Sequence, residues 1–279
     1  MYCAKSPLSF KIKLIKILTE DLMTAHSSFE TSTSFWPLLQ KLNEGTFVDL
    51  THAFDADSPH FETAVPFEVK DVSLHKEHGI WVQRFSFEGQ WGTHVDAPAH
   101  FCQGQRTVCQ IPIEEMILPL VVIDIHDKVK KNPDYAVNVN DLLTWEDEYG
   151  KIPSGAFVAL RTDWSKRWPN NAAMHNCDET GVPHTPGWSL GALSYLYEEC
   201  LITATGHETI DPDPGYNARD TEWACERYIL NLNHYQIELL TNLDRCPPKG
   251  AIVICSFPKP ARSSGFPARV FAICPKTTT

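Results

Sequence analysis

A mixed α/β fold in one domain is predicted by three features of this 279-residue sequence. Short apolar runs of strand length alternate along the chain with segments of helical periodicity, the pattern of a sheet covered by helices. Three of the runs, 118–125, 156–161 and 251–255, are almost continuously apolar, as strands buried on both faces are. No break in composition divides the chain, and 43% apolar content is enough for one large core.

Taken in order, residues 1–34 read as an N-terminal extension and 35–279 as the domain. Residues 9–18, SFKIKLIKIL, are apolar and basic, but Lys11, Lys13 and Lys16 interrupt the uncharged core that a secretory signal needs. Met23 offers an alternative start. A short helix is expected over 35–42 and a strand over 47–54. Residues 81–87 alternate more clearly, with Trp81, Gln83, Phe85 and Phe87 on one side, and this strand is expected to lead straight into the motif that follows. Asn140 is the expected cap of a helix over 141–149, and Ser189 of one over 190–200. A further helix is expected over 221–233. The Asn-, Asp- and Pro-rich stretches 169–186 and 211–219 are loops long enough to border a pocket.

Composition narrows the function. A formal charge of −11 argues against a nucleic-acid partner, which needs a basic face for phosphates. No run of 18 apolar residues is free of charge, so no membrane span is expected. Nine cysteines without a CxxC pair are the usage of a reducing compartment, and a cytoplasmic location is expected.

Residues 90–101 read QWGTHVDAPAHF. In an extended segment Gln90, His94, Asp96 and His100 would point the same way, because side chains alternate with a period of two. An imidazole and a carboxylate two residues apart can share a divalent cation, while a second imidazole just beyond stays free to move protons. Histidine's ordinary pKa, about 6.5, suits a general base working near neutral pH. A competing motif, Gly187–Trp188–Ser189–Leu190–Gly191, has the form of a serine nucleophile elbow, with Asp211 and His234 following in order. The Pro-rich stretch before it cannot form the strand an elbow needs, so Ser189 is read as a helix cap. Cys102 is read as a small buried hydrophobe.

The string GTHVDAPAHF resembles the signature of the cyclase-family metal-dependent hydrolases, the group that includes bacterial kynurenine formamidase and isatin hydrolase. The likeness continues through FVDLTHAF at 47–54, LPLVVIDIHD at 118–127, GAFVALRTDW at 155–164, TATGHETIDPD at 203–213, QIELLTNLD at 236–244 and GFPARVFAI at 265–273. It implies a swivelling β/β/α barrel-like domain that assembles as dimers or tetramers. By the same resemblance His94, Asp96 and Glu238 are metal ligands and His100 is the proton-transfer group. Two positions depart from the pattern: Gln90 stands where a histidine is expected four residues before His94, and Glu226 where a later histidine is expected. The candidate shell is then Gln90, His94, Asp96, Glu226 and Glu238.

An amide and a carboxylate in place of two imidazoles harden that shell, moving preference from zinc toward manganese or magnesium. Three carboxylates carry a net charge of −1 with one divalent cation and +1 with two. One or two metals are therefore expected, unless a carboxylate is protonated or Glu226 only orients a ligand. His207, Trp81 and Trp91 are candidates for the pocket or for support of the ligands. The expected activity is hydrolysis of a small amide, formamide, lactam or lactone. N-formylkynurenine is the first candidate by resemblance, with isatin-type lactams and dienelactones next. The alternative is a non-catalytic small-molecule-binding member of the fold.

Overall fold

A computed structural model describes residues 34–61 and 65–276, so the expected extension lies outside the described residues except for its last position. The described chain divides into a short unit, 34–44, and a domain that begins at Gly45. The first holds helix α1 (Trp36–Asn43), with proline in its first turn, where the missing N–H has no helical partner to lose.

The domain is built on one nine-stranded sheet in the order β1 (Thr46–Asp49), β13 (Arg269–Cys274), β11 (Ala251–Ser256), β5 (Ile117–Asp124), β7 (Phe157–Arg161), β9 (Ala204–His207), β10 (Tyr235–Glu238), β4 (His94–Asp96) and β12 (Gly265–Pro267). The central strands β5, β7, β9 and β10 run parallel, and the flanking pairs are antiparallel. Beyond β1, Thr51 bridges to Leu240 just past β10, and the Thr241 N–H donates to the Leu50 carbonyl at 3.1 Å. The sheet therefore curls until its first strand meets its seventh, which makes it a half-barrel.

Alternation along the central strands separates two cores. Val121, Ile123, Val158 and Leu160 face outward and pack with residues of helices α4 (Val139–Tyr149), α6 (Leu190–Ser194) and α7 (Ala224–Asn231). Leu120, Val122, Phe157 and Ala159 face inward and pack with Val48, Val253 and Val270. Strands buried on both faces were expected from the continuous apolar runs. The remaining helices are α2 (His75–His78), α3 (His126–Lys131) and α5 (Asn171–His175). Two short pairings complete the architecture: β6 (Ala136–Val137) with β8 (Gly187–Trp188), and the hairpin of β2 (Glu68–Ser73) with β3 (Val82–Ser86).

Several element boundaries differ from the sequence expectation for local reasons. Helix α4 is capped by Asn138 rather than Asn140: the Asn138 side chain accepts from the Asn140 N–H at 2.9 Å, and Asp141 accepts from the Asn138 N–H at 2.8 Å. Helix α6 is capped by Ser189 as expected, but after Ser194 it widens into a π turn over Tyr195–Glu199. Helix α7 starts only at Ala224, because Glu222 and Trp223 both hold φ of 54°, outside the helical region. The alternating segment 81–87 forms β3 of the hairpin and does not run into the histidine motif, whose strand β4 belongs to the main sheet.

Candidate functional site

Strand β4 lies between β10 and β12, and this pairing sets the site. Opposite His94 stands Glu238, and opposite Asp96 stands Gln236, so four polar side chains share one face of two paired strands. On the other flank Gly265 is opposite Asp96. A Cβ at Gly265 would come 2.3 Å from the Gln90 amide nitrogen, so the missing side chain makes room for Gln90.

The residues around His94 hold it rigidly. Gly92 has φ of 61°, and a Cβ there would meet Phe54 at 2.9 Å, which requires glycine. Its carbonyl faces His94 Nδ1 at 2.8 Å, so Nδ1 carries the proton and the Nε2 lone pair turns inward. Thr93 ties neighbouring segments together: its hydroxyl donates to the Leu239 carbonyl at 2.6 Å and accepts from the His52 N–H at 3.0 Å. After Asp96 the extended run ends. Pro98 opens a 3₁₀ turn over Pro98–His100, so His100 reaches the site from a turn and not from the strand.

The result is a cavity of about 300 Å³ lined by Gln90, His94, Asp96, His100, Glu226 and Glu238 together with His60, Phe61, Phe101, Asp211, Trp223 and Arg227. Gln90 Nε2 lies 3.2 Å from Asp96 Oδ1 and 3.4 Å from His100 Nδ1. His100 Nε2 lies 3.8 Å from Glu226 Oε1. The structure thus brings together all six residues singled out as shell or proton-transfer groups.

The pocket candidates separate. His207 is buried behind the floor, with Nε2 at 3.4 Å from Glu238 Oε1. Trp91 is also buried behind the wall: it stacks on the cavity-lining His60 at 4.0 Å between ring centroids and donates to the Asp55 carbonyl at 2.9 Å. Trp81 does not line the cavity. It sits at the hairpin, 57% exposed, and donates to Asp71 Oδ1 at 2.8 Å. Ser189 accepts from the Ala192 N–H and caps α6, as a helix cap and not a nucleophile would. Cys102 donates to Asn231 Oδ1 at 2.9 Å, and burial raises its thiol pKa.

Two residues of the floor were not assigned to this site from the sequence. Gln236 Nε2 is 2.9 Å from Glu238 Oε1 and 3.4 Å from both Asp96 Oδ2 and Glu226 Oε1. Its register opposite Asp96 across the β4–β10 pairing puts its amide there. Asp211, in the loop after β9, joins the lining and crowds the same carboxylates. Nearby, Asp213 accepts from the N–H groups of Cys225 and Glu226 at 2.9 and 3.0 Å and so caps α7 from a distant loop.

The electrostatics call for a cation. Burial alone would pull the His94 pKa down, but Asp96 and Glu238 hold the imidazole well above its ordinary value. Burial acts against the Asp96 carboxylate as well, yet His94 brings its pKa to about 2. Glu226 and Asp211 are driven well above the usual carboxylate range, first by burial and then by the charge of Glu238. Within this anionic floor, His94 Nε2 and Gln236 Oε1 are buried without a hydrogen-bond partner. An imidazole and carboxylates converging there are the donor set of a divalent cation. His94, Asp96 and Glu238 form one group with donor atoms within 4.8 Å of one another, and Asp96, His100 and Glu226 form a second that shares Asp96.

Comparison with known proteins agrees with this geometry. The family model described as "Putative cyclase" matches residues 48–214. The chain belongs to this cyclase family. An isatin hydrolase of Roseibium aggregatum is 34% identical over 243 residues, 82% of this chain and 92% of that protein. Among solved structures, isatin hydrolase A from Labrenzia aggregata, bound to benzyl benzoate, is 32% identical with a TM-score of 0.81, covering 88% of this chain and 100% of that one. An isatin hydrolase bound to the product analogue thioisatinate is 29% identical with the same TM-score of 0.81, covering 89% and 100%. As a cyclase-family member this chain is a metal-dependent hydrolase.

Proposed function

We propose that this cyclase-family enzyme opens a cyclic amide by hydrolysis, with isatin-type lactams as its substrates. The observation that carries the reading is the convergence, at one end of an aromatic-walled cavity, of a buried His94–Asp96–Glu238 group with His100, whose side chain is 31% exposed. The likeness to isatin hydrolases over most of the chain supports the lactam over an open-chain amide.

A divalent cation held by His94, Asp96 and Glu238 would polarise the acyl carbonyl and acidify a water molecule. The hard donor set favours manganese over zinc. His60, Phe61, Phe101 and Trp223 offer flat faces and edges to a planar ring. His100 takes the proton of the attacking water as the new C–O bond forms, then delivers it to the ring nitrogen as the C–N bond breaks, leaving an amine and a carboxylate. Gln90 beside His100 Nδ1 and Glu226 beside Nε2 keep the ring aimed at the floor. His207 braces Glu238 from behind.

The protein further reads as a cytoplasmic homo-oligomer. Its β2–β3 hairpin exposes Val69, Val72, Ile80, Trp81 and Phe85, an apolar surface of the kind that a second copy covers.

The deciding experiment is turnover of isatin and of N-formylkynurenine by metal-stripped protein resupplied with manganese or zinc. Metal-restored ring opening of isatin is expected, faster with manganese. Turnover of N-formylkynurenine alone would move the enzyme to the formamidase reading. No turnover of either substrate with metal bound would overturn both.

A further inference from the structure

Arg227 is the only lysine or arginine among the residues lining the catalytic cavity. It follows Glu226 in the first turn of α7, where consecutive side chains diverge by about 100° around the helix. Glu226 is accordingly buried at the floor, while Arg227 is exposed at the rim. Its guanidinium is nonetheless held in place. Nε donates to the Glu222 carbonyl at 2.6 Å, and the guanidinium carbon lies 5.0 Å from the centre of the Phe101 ring. Among the described residues Nη1 and Nη2 have no hydrogen-bond or ion-pair partner.

A guanidinium fixed through Nε, with both terminal nitrogens free, presents the planar fork that accepts a carboxylate through two parallel hydrogen bonds. The surroundings make a cation at this position consequential. The floor carries Asp96, Asp211, Glu226 and Glu238, and the whole chain has a formal charge of −11. An anionic substrate would be repelled by such a field unless a local positive charge offset it at the entrance. The carboxylate that hydrolysis creates forms at the floor, so an arginine at the rim addresses a different group of the molecule.

Building on the hydrolase reading above, we propose that Arg227 anchors a carboxylate that the substrate carries away from its scissile acyl bond. The preferred substrate is then an anionic aromatic amide or lactam rather than a neutral one.

The test compares kcat/KM for isatin and for ring-carboxylated isatins in the metal-loaded wild-type protein and in Arg227→Gln and Arg227→Lys. The expected result is a wild-type preference of tenfold or more for at least one carboxylated ring. Arg227→Gln should cut that preference at least tenfold, and Arg227→Lys should restore only part of it, because an ammonium cannot bond in the bidentate manner. An equal preference in wild type and Arg227→Gln would overturn the proposal while leaving the hydrolase reading intact. Should neither ring be turned over, the lactam reading falls by itself, and calorimetric binding of the same compounds still decides the anchor. Selective weakening of the carboxylated ring in Arg227→Gln supports it, and equal weakening of both rings overturns it.

Discussion

In β4, His94 and Asp96 are 3% and 1% exposed and lie between two neighbouring strands, whereas the residues of β2 and β3 pair only with each other and are almost all exposed. Both segments alternate with the same period. The period tells which side chains share a face, and the number of strands and layers packed around them tells what that face can do. Polar side chains on a face sealed by β10 and β12 lose water and must find charge partners, which is the condition for binding a metal ion. Apolar side chains on an isolated two-stranded ribbon keep their water and gain little until another surface covers them.

The contrast can be broken most severely at the floor. Replacing Asp96 by Asn removes the carboxylate shared by both candidate metal groups. Metal analysis should find stoichiometric manganese or zinc lost, and kcat should fall by about a thousandfold or more, the scale of several kcal/mol of lost charge stabilisation. Retention of metal with near-normal kcat would remove Asp96 from the centre.

His100→Ala should be distinguishable from that outcome. Metal content should stay, while kcat falls by roughly 10²- to 10⁴-fold, the usual share of a positioned proton-transfer group. Loss of metal instead would make His100 a ligand of the second group.

The floor should also give the metal-free protein a characteristic pH dependence. Glu226 and Asp211 keep their protons above the pH range, near about 4, where carboxyl groups of the unfolded chain ionise. The folded state thus binds more protons than the unfolded state, and stability must fall as pH rises through their raised pKa values. His94, raised by its carboxylate neighbours, acts in the same direction. Melting temperature after chelation should therefore decline from pH 5 to 8, and the gain on adding manganese should grow over the same interval. A metal-induced gain that is flat with pH would contradict the buried-charge account.

At the ribbon the expected effects are smallest. Val72→Ser combined with Ile80→Ser should change the stability of the single chain by no more than about 0.5 kcal/mol, because both side chains are more than half exposed. The mass measured by light scattering should nevertheless drop if the ribbon joins copies. An unchanged mass would leave the exposed surface without that role.

Much of this was legible in the sequence, and the gaps have physical causes. The central strands were readable because a continuous apolar run of strand length, bounded by turn residues, suits a strand covered on both faces. His94 and Asp96 were readable because strand geometry alone puts them on one face. His100 reached the predicted site by an unpredicted route, since Pro98 converts the strand into a turn. Gln236 was passed over because a glutamine on a strand carries no sign of charge, and only cross-strand register sets its amide against three carboxylates. Trp81 was misplaced for the opposite reason: an aromatic residue near the motif in sequence is separated from it by a hairpin in space. The cap of α7 is supplied by Asp213 from another loop, so no local pattern could have marked Trp223 as the residue before the helix.

The strand pairing on both sides of β4 also constrains the order of events during synthesis. Asp96 is flanked by Gln236 on one side and by Gly265 on the other, and Ser264 accepts the Ala97 N–H through its carbonyl. His94 and Asp96 therefore leave the ribosome more than 160 residues before the segment that completes their enclosure. A chain stopped short of β12 would hold the motif without one of the two strands that flank it.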